Sequence, residues 1–120
     1  MSEAPFSDGM VARQDDTVAT GHGCDTVTTI LEGESTVLVE GKPVARRSSP
    51  LAPHTITNPA VLPPCIPHPN QIVNVGSETV LVGGLGIARF GDSADLGTVS
   101  SGARTVIAVR APDELSLIHI

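Results

Sequence analysis

Several side chains of the kind that hold a transition metal crowd into one half of this chain. His54, Cys65 and His68 fall within fifteen residues, and His22 lies upstream in Gly21-His22-Gly23, with Cys24 two positions further on. Imidazole nitrogen and thiolate sulfur are donors that Zn²⁺ prefers. The three clustered donors leave a tetrahedral ion one short, and either His22 or Cys24 can complete it. Four protein donors describe a closed structural site. A hydrolytic zinc site keeps a position for water and places a carboxylate base nearby, and no acidic residue lies between His54 and Gln71. A nucleophilic pairing of Cys65 with His54 or His68 is disfavoured as well, because the flanking prolines remove the backbone N–H groups that would stabilise an oxyanion. The reading is therefore not enzymatic. The two cysteines also allow a single disulfide, Cys24–Cys65; a reducing compartment would favour metal ligation over it.

The stretch that carries these donors, Pro53 to Asn70, holds six of the chain's ten prolines. Proline lacks the N–H and fixes φ, so this segment is expected as a loop rather than a helix or a central strand.

The elements that must position the donors repeat. Val11-Ala12-Arg13 recurs as Val44-Ala45-Arg46 and Ile87-Ala88-Arg89, and Gly-x-x-Thr-Val occurs at Gly33, Gly76 and Gly102. Two motifs present three times in one order indicate an internal triplication. Each unit reads as a β-hairpin. Thr-Val-Leu-Val is a short strand, Glu40-Gly41-Lys42-Pro43 and Gly83-Gly84-Leu85-Gly86 are tight turns, and Val-Ala-Arg begins the return strand. Polar turns follow each arginine, at Gln14-Asp15-Asp16, Arg47-Ser48-Ser49 and Phe90-Gly91-Asp92. Strands are expected near 26–31, 36–39, 44–47, 71–75, 79–82, 87–90 and 104–109, with no helical period anywhere. Of the loops between arginine and the next glycine, the second is the longest and contains Cys65 and His68. The third, with Ala94-Asp95-Leu96-Gly97, reads as free of donors. Units arranged about a pseudo-threefold axis would converge their loops on one point, with His22, His54, Cys65 and His68 as a His₃Cys set. The repeated arginines are expected to pair with carboxylates such as Asp15, Asp16 and Asp92.

Composition fits a narrow β body. Among 120 residues there are two Phe and no Trp or Tyr, so the apolar content is Val, Ala, Leu and Ile. A body with so thin a core calls for a metal, a disulfide or a partner. The net charge of −6 argues against nucleic acid, whose binding needs a basic face. No apolar run is long enough to span a membrane, and the N-terminus does not read as a secretory signal peptide.

The Ala-Arg dipeptides, Gly91-Asp92, the run Gly41-Lys42-Pro43-Val44-Ala45-Arg46 and the Gly-x-x-Thr-Val repeats together resemble the PAAR-repeat proteins, the sharpened tips of contractile injection machines. The resemblance covers roughly residues 10–109, leaving extensions at 1–9 and 110–120. Gly-Asp after Ala-Arg stands only at Gly91-Asp92; the other copies read Asp15-Asp16 and Ser48-Ser49. The resemblance implies an all-β cone of short hairpins with pseudo-threefold symmetry and one structural Zn²⁺ per chain near the vertex. Because it implies histidines and a cysteine around that ion, it favours His22 over Cys24. It also implies a base seated on a trimeric β-helical spike of the VgrG or phage-tail kind, one tip per trimer. The chain would be assembled in the cytoplasm and delivered into or across a target envelope, with transient contact with the target membrane. An alternative is a zinc-stapled adaptor that carries an effector or other client. His119 is not expected to be a ligand.

Overall fold

The three Ala-Arg segments meet at the centre of the molecule. In the computed structural model, which describes residues 9–108, the N–H of Ala45 donates to Ala12 O, that of Ala88 to Ala45 O and that of Ala12 to Ala88 O, at 2.9, 3.0 and 2.9 Å. The hydrogen bonds run head to tail and close a ring. Single β-bridges repeat the same cycle: Arg13 with Val44, Arg46 with Ile87, Arg89 with Val11. All three alanines are fully buried. A larger side chain would not fit where three backbones come this close, which is the physical reason for alanine at each position.

After each arginine the chain makes the same tight turn. The N–H of Asp16, Ser49 and Asp92 donates to the carbonyl of Arg13, Arg46 and Arg89. Side-chain oxygens of those same residues accept from the arginine N–H in return. The residue between takes positive φ each time, 76° at Asp15, 80° at Ser48 and 89° at Gly91. This conformation suits glycine, and asparagine or aspartate tolerate it; Ser48 holds it inside a turn fixed from both sides. Arg13 and Arg89 also grip their aspartates through the guanidinium, at 3.0 and 3.1 Å.

Before the second and third Ala-Arg segments the chain makes a hairpin. Strands β3 (Glu34–Val39) and β4 (Lys42–Val44) form the first, and β7 (Leu81–Val82) and β8 (Leu85–Gly86) the second. Glu40 and Gly41, like Gly83 and Gly84, both have positive φ, the backbone of a type I′ turn whose twist matches that of the strands. Gly33, Gly76 and Gly102 lie against the carbonyl oxygens of Val44, Ile87 and Val11 respectively, each within 3.1 Å of where a Cβ would stand. Close backbone approach therefore explains the glycine of each Gly-x-x-Thr-Val motif.

The remaining strands carry the chain away from the ring on its other side. β1 (Thr17–Ala19), β2 (Val27–Thr29), β9 (Ser93–Ala94) and β10 (Gly97–Val99) form one antiparallel sheet in the order β2-β1-β10-β9. β5 (Thr55–Thr57) and β6 (Cys65–Pro67) form a separate hairpin, Thr55 facing Pro67 and Thr57 facing Cys65. The proline-rich stretch is thus not simply a loop. Cys24 bridges the far side of β5, which leaves β6 as the outer strand, and an edge strand tolerates Pro67. Segments expected as strands at 71–75, 87–90 and 104–109 instead make isolated bridges, including Pro50 with Ile72, Val73 with Ala94 and Met10 with Ile107. They pair for a single residue before passing to the next unit. Residues 1–8 and 109–120, which include the last residue of the strand expected at 104–109 and the expected tail with His119, lie outside the described residues.

The core has two layers. Ala12, Ala45 and Ala88 pack with Val18, Ile30, Leu51, Val73, Ala94 and Val99 on the side of the long loops. Val11, Val44 and Ile87 pack with Val39, Val82, Ala103 and Ala108 on the side of the hairpins. Among the described residues the regular elements are ten short strands, and the small aliphatic residues suit so narrow a stack.

Candidate metal centre

Each unit's loop leaves the first core layer and delivers one or more polar side chains to a common point. β1 leads through Thr20 to His22, Leu51 leads to His54, and β9 ends next to Asp95. Thr20 is fully buried, and its hydroxyl donates to Asp25 O at 2.7 Å, tying the His22 loop into a tight bend. His68 is brought back beside His54 by the β5–β6 register and by its own N–H, which donates to His54 O at 2.9 Å. Asp95 stands in a turn with φ of 53°, its own N–H donating to Ile72 O.

Four donor atoms, from His22, His54, His68 and Asp95, lie within 4.8 Å of one another. Asp95 Oδ2 is 2.9 Å from His22 Nε2 and 2.6 Å from His54 Nε2. His68 Nδ1 is 3.2 Å from His22 Nε2 and 3.7 Å from Asp95 Oδ1. Donors around a tetrahedral ion with bonds of about 2.0–2.1 Å stand roughly 3.3 Å apart, and these separations bracket that value. The side chains are withdrawn from water, 2% exposed for His54 and 0% for Asp95, with His68 the most open at 19%.

Two observations show that the group suits a cation. First, His22 Nδ1 lies 2.9 Å from Gly23 O and His54 Nδ1 2.9 Å from Ala52 O. A carbonyl only accepts, so both rings carry their proton on Nδ1 and turn an Nε2 lone pair toward the cluster. Carbonyl-held histidines of this kind are the usual outer shell of metal sites. Second, Asp95 Oδ1 is buried and has no hydrogen-bond partner among the described residues. A buried carboxylate oxygen facing imidazole lone pairs is costly until a positive charge joins them. That charge can be a proton or a metal. Burial opposes charging of His22, but the Gly23 carbonyl and Asp95 outweigh it and hold the ring above its ordinary pKa. Three nitrogens and one oxygen offer a set that fits Zn²⁺ and other borderline divalent ions.

The sequence expectation of His22, His54, Cys65 and His68 meets this geometry in its three histidines. Cys65 stands apart. Its sulfur is bonded to Cys24 across a Cα–Cα distance of 5.8 Å, and a disulfide sulfur has no thiolate to offer a metal. Cys24 is removed as a competitor for the same reason. The pairing is set by β5: Cys24 bridges Ile56 and Cys65 faces Thr57. The third loop, read as free of donors, supplies Asp95. Its signal was positional. Asp95 follows the turn at Asp92 as His54 follows the turn at Ser49, but a lone carboxylate in an acidic chain does not announce itself as a ligand.

The model of one protein family, described as the PAAR motif, matches residues 20–100. No curated protein matches the chain.

Proposed function

Since this chain belongs to the PAAR-motif family, we propose that it is a structural, non-enzymatic tip that caps a trimeric β-helical spike, of the VgrG or phage kind, in a contractile injection machine. Its loops meet at a vertex held by Zn²⁺ on His22, His54, His68 and Asp95.

The observation that carries this reading is a threefold set of exposed apolar pairs. Val37 and Leu38 are 39% and 61% exposed, Val80 and Leu81 40% and 58%, and Val106 and Ile107 38% and 42%. They follow the threonines of the three Gly-x-x-Thr-Val motifs, on the hairpin side of the alanine ring. One chain thereby presents three similar apolar patches, as a symmetric trimer would need. Open strand edges at the same end favour a partner that covers them. At the opposite end, a narrow vertex has no room for a hydrophobic core, so bonds to a metal take its place. Puncture of an envelope by such a tip would be mechanical, which suits a closed site.

Mixing the chain with a trimeric β-helical spike and measuring mass after size exclusion tests the reading. One chain per trimer is expected, with crosslinks near Gly41, Lys42, Gly83 and Gly84. A complex with three copies per trimer, or crosslinks gathered on Pro63 to Pro69, would favour the adaptor reading instead.

A further inference from the structure

The hairpin β5–β6 does not stop at the histidines. Its three paired rungs carry the chain on from His54 and His68, about 10 Å at roughly 3.3 Å per residue. It ends in the loop Asn58-Pro59-Ala60-Val61-Leu62-Pro63-Pro64. Leu62 is 92% exposed, the most open of the large apolar residues described, and Val61 beside it is 39% exposed. Pro59, Ala60, Pro63 and Pro64 are exposed too.

The loop lacks what keeps a surface loop in water. Residues 48–77 contain no Asp, Glu, Lys or Arg, so no side-chain charge of that kind resists transfer from water. The backbone is equally quiet. Pro59, Pro63 and Pro64 have no N–H. The N–H of Asn58 donates to Pro64 O at 2.7 Å and that of Val61 to Asn58 O at 3.2 Å, while that of Ala60 donates to Asn58 Oδ1 at 3.0 Å. Of the loop's backbone N–H groups, that of Leu62 alone is left without a partner among the described residues. Hydrocarbon offers no acceptor to an N–H, so a loop entering a bilayer must satisfy its donors internally or do without them. A protein groove makes no such demand, because it supplies carbonyls. The loop's free carbonyls can stay hydrated at headgroup depth, where interfacial segments lie.

We propose that the 58–64 loop is a lipid-contacting apex that inserts Val61 and Leu62 into the interface of an uncharged bilayer. The stem is firm: Cys24–Cys65 crosslinks it to the His22 loop, and Asp25 Oδ2 accepts from both the N–H and the hydroxyl of Thr55. The inference deepens the tip reading by naming the surface that the vertex meets. The loop alone carries it, and its test involves no spike, so its failure would leave the one-per-trimer complex standing.

The chain has no Trp, so Leu62→Trp places a single reporter at the apex of the full chain. With phosphatidylcholine vesicles its emission should move to shorter wavelength and be quenched by brominated acyl chains. Adding Val61→Asp should weaken partitioning about tenfold, as expected for losing the burial of a Val side chain. Leu38→Trp, on the hairpin end where Glu34 and Glu40 flank the apolar pair, is the companion probe and should stay in water. Emission from Leu62→Trp that ignores vesicles would overturn the proposal. So would an equal response from Leu38→Trp, which would mean general apolar adhesion, or a Leu62→Trp emission already blue-shifted in buffer, which would mean that protein covers the loop.

Discussion

The alanine ring and the histidine vertex are built on opposite rules. At the ring, three stretches of one chain do the same thing: the same backbone bond, the same bridge, the same turn with positive φ. At the vertex the three units contribute unlike parts. The first gives His22, the second gives His54 and His68, and the third gives Asp95. Backbone packing around an axis rewards repetition, because each contact is satisfied by copying its neighbour. A single ion on that axis needs four donors and cannot take them equally from three units. Symmetry must break at a site able to hold such an ion, and the long second loop is where it breaks.

The largest effects should come from the vertex. Protein purified without chelator should carry about one zinc per chain by elemental analysis. Structural zinc in small domains is worth an apparent 10–16 kcal/mol or so in peptides. If even about 4 kcal/mol of this is coupled to folding here, chelation should lower the melting temperature by roughly 15–30 °C. His54→Ala, His68→Ala and Asp95→Ala should each lower metal content and melting temperature together. Asp95→Ala is the most pointed of these, because the sequence alone predicts no effect from it. Full zinc content in that variant would return the fourth position to another donor.

Next in size is the disulfide beside the site. Cys24 and Cys65 are separated by 41 positions, and closing a loop of that length stabilises by about 4 kcal/mol in the chain-entropy account. The Cys24→Ser/Cys65→Ser variant should melt well below the parent yet keep its zinc, since Asp95 completes the donor set. Loss of zinc with the cysteines would show that a thiolate holds the ion after all. Smaller again are substitutions at the ring. Ala12→Val, Ala45→Val and Ala88→Val should each cost about 1–3 kcal/mol by overpacking. The sharper expectation is that the three costs agree to within about 0.5 kcal/mol. Denaturant midpoints that differ widely among them would break the equivalence of the units.

Legibility in the sequence followed the same division. The repeats could be read because a glycine under a carbonyl, an alanine in a three-way contact and a turn after arginine each restrict residue type, three times over. The hairpin turns at Glu40-Gly41 and Gly83-Gly84 were legible from glycine alone. His22, His54 and His68 stood out because imidazole is scarce in the chain. What escaped was chemistry that depends on register. Cys65 sits among candidate ligands in the sequence, yet the pairing of β5 with β6 and the bridge from Cys24 turn it toward another sulfur. Asp95 is one of thirteen acidic residues, and only burial separates it from the solvated ones. The proline count spoke against a central strand but not against an edge hairpin.

The smallest expected effect tests how far two units can differ while keeping one geometry. Asp16 and Ser49 occupy the same turn position, and each accepts from the N–H three residues earlier, at 2.6 and 3.0 Å. Only Asp16 can titrate. Burial pushes its pKa up, but hydrogen bonds from Arg13 and Ser101 and the nearby guanidinium charge outweigh that and leave it below the ordinary 3.8. A carboxyl whose pKa is lower in the folded than in the unfolded state stabilises the fold above the unfolded value. That contribution falls away as pH drops through the folded value. Asp16→Ser makes the first unit resemble the second. At neutral pH it should cost about 1–2 kcal/mol, the range for a hydrogen-bonded ion pair replaced by a neutral acceptor. Below about pH 3.8 the gap between variant and parent should narrow steadily as the parent's Asp16 takes up its proton. The vertex residues are the same in both proteins, so the difference isolates the turn. A gap constant from pH 7 to pH 2 would mean that Asp16 acts there as shape alone, as Ser49 does.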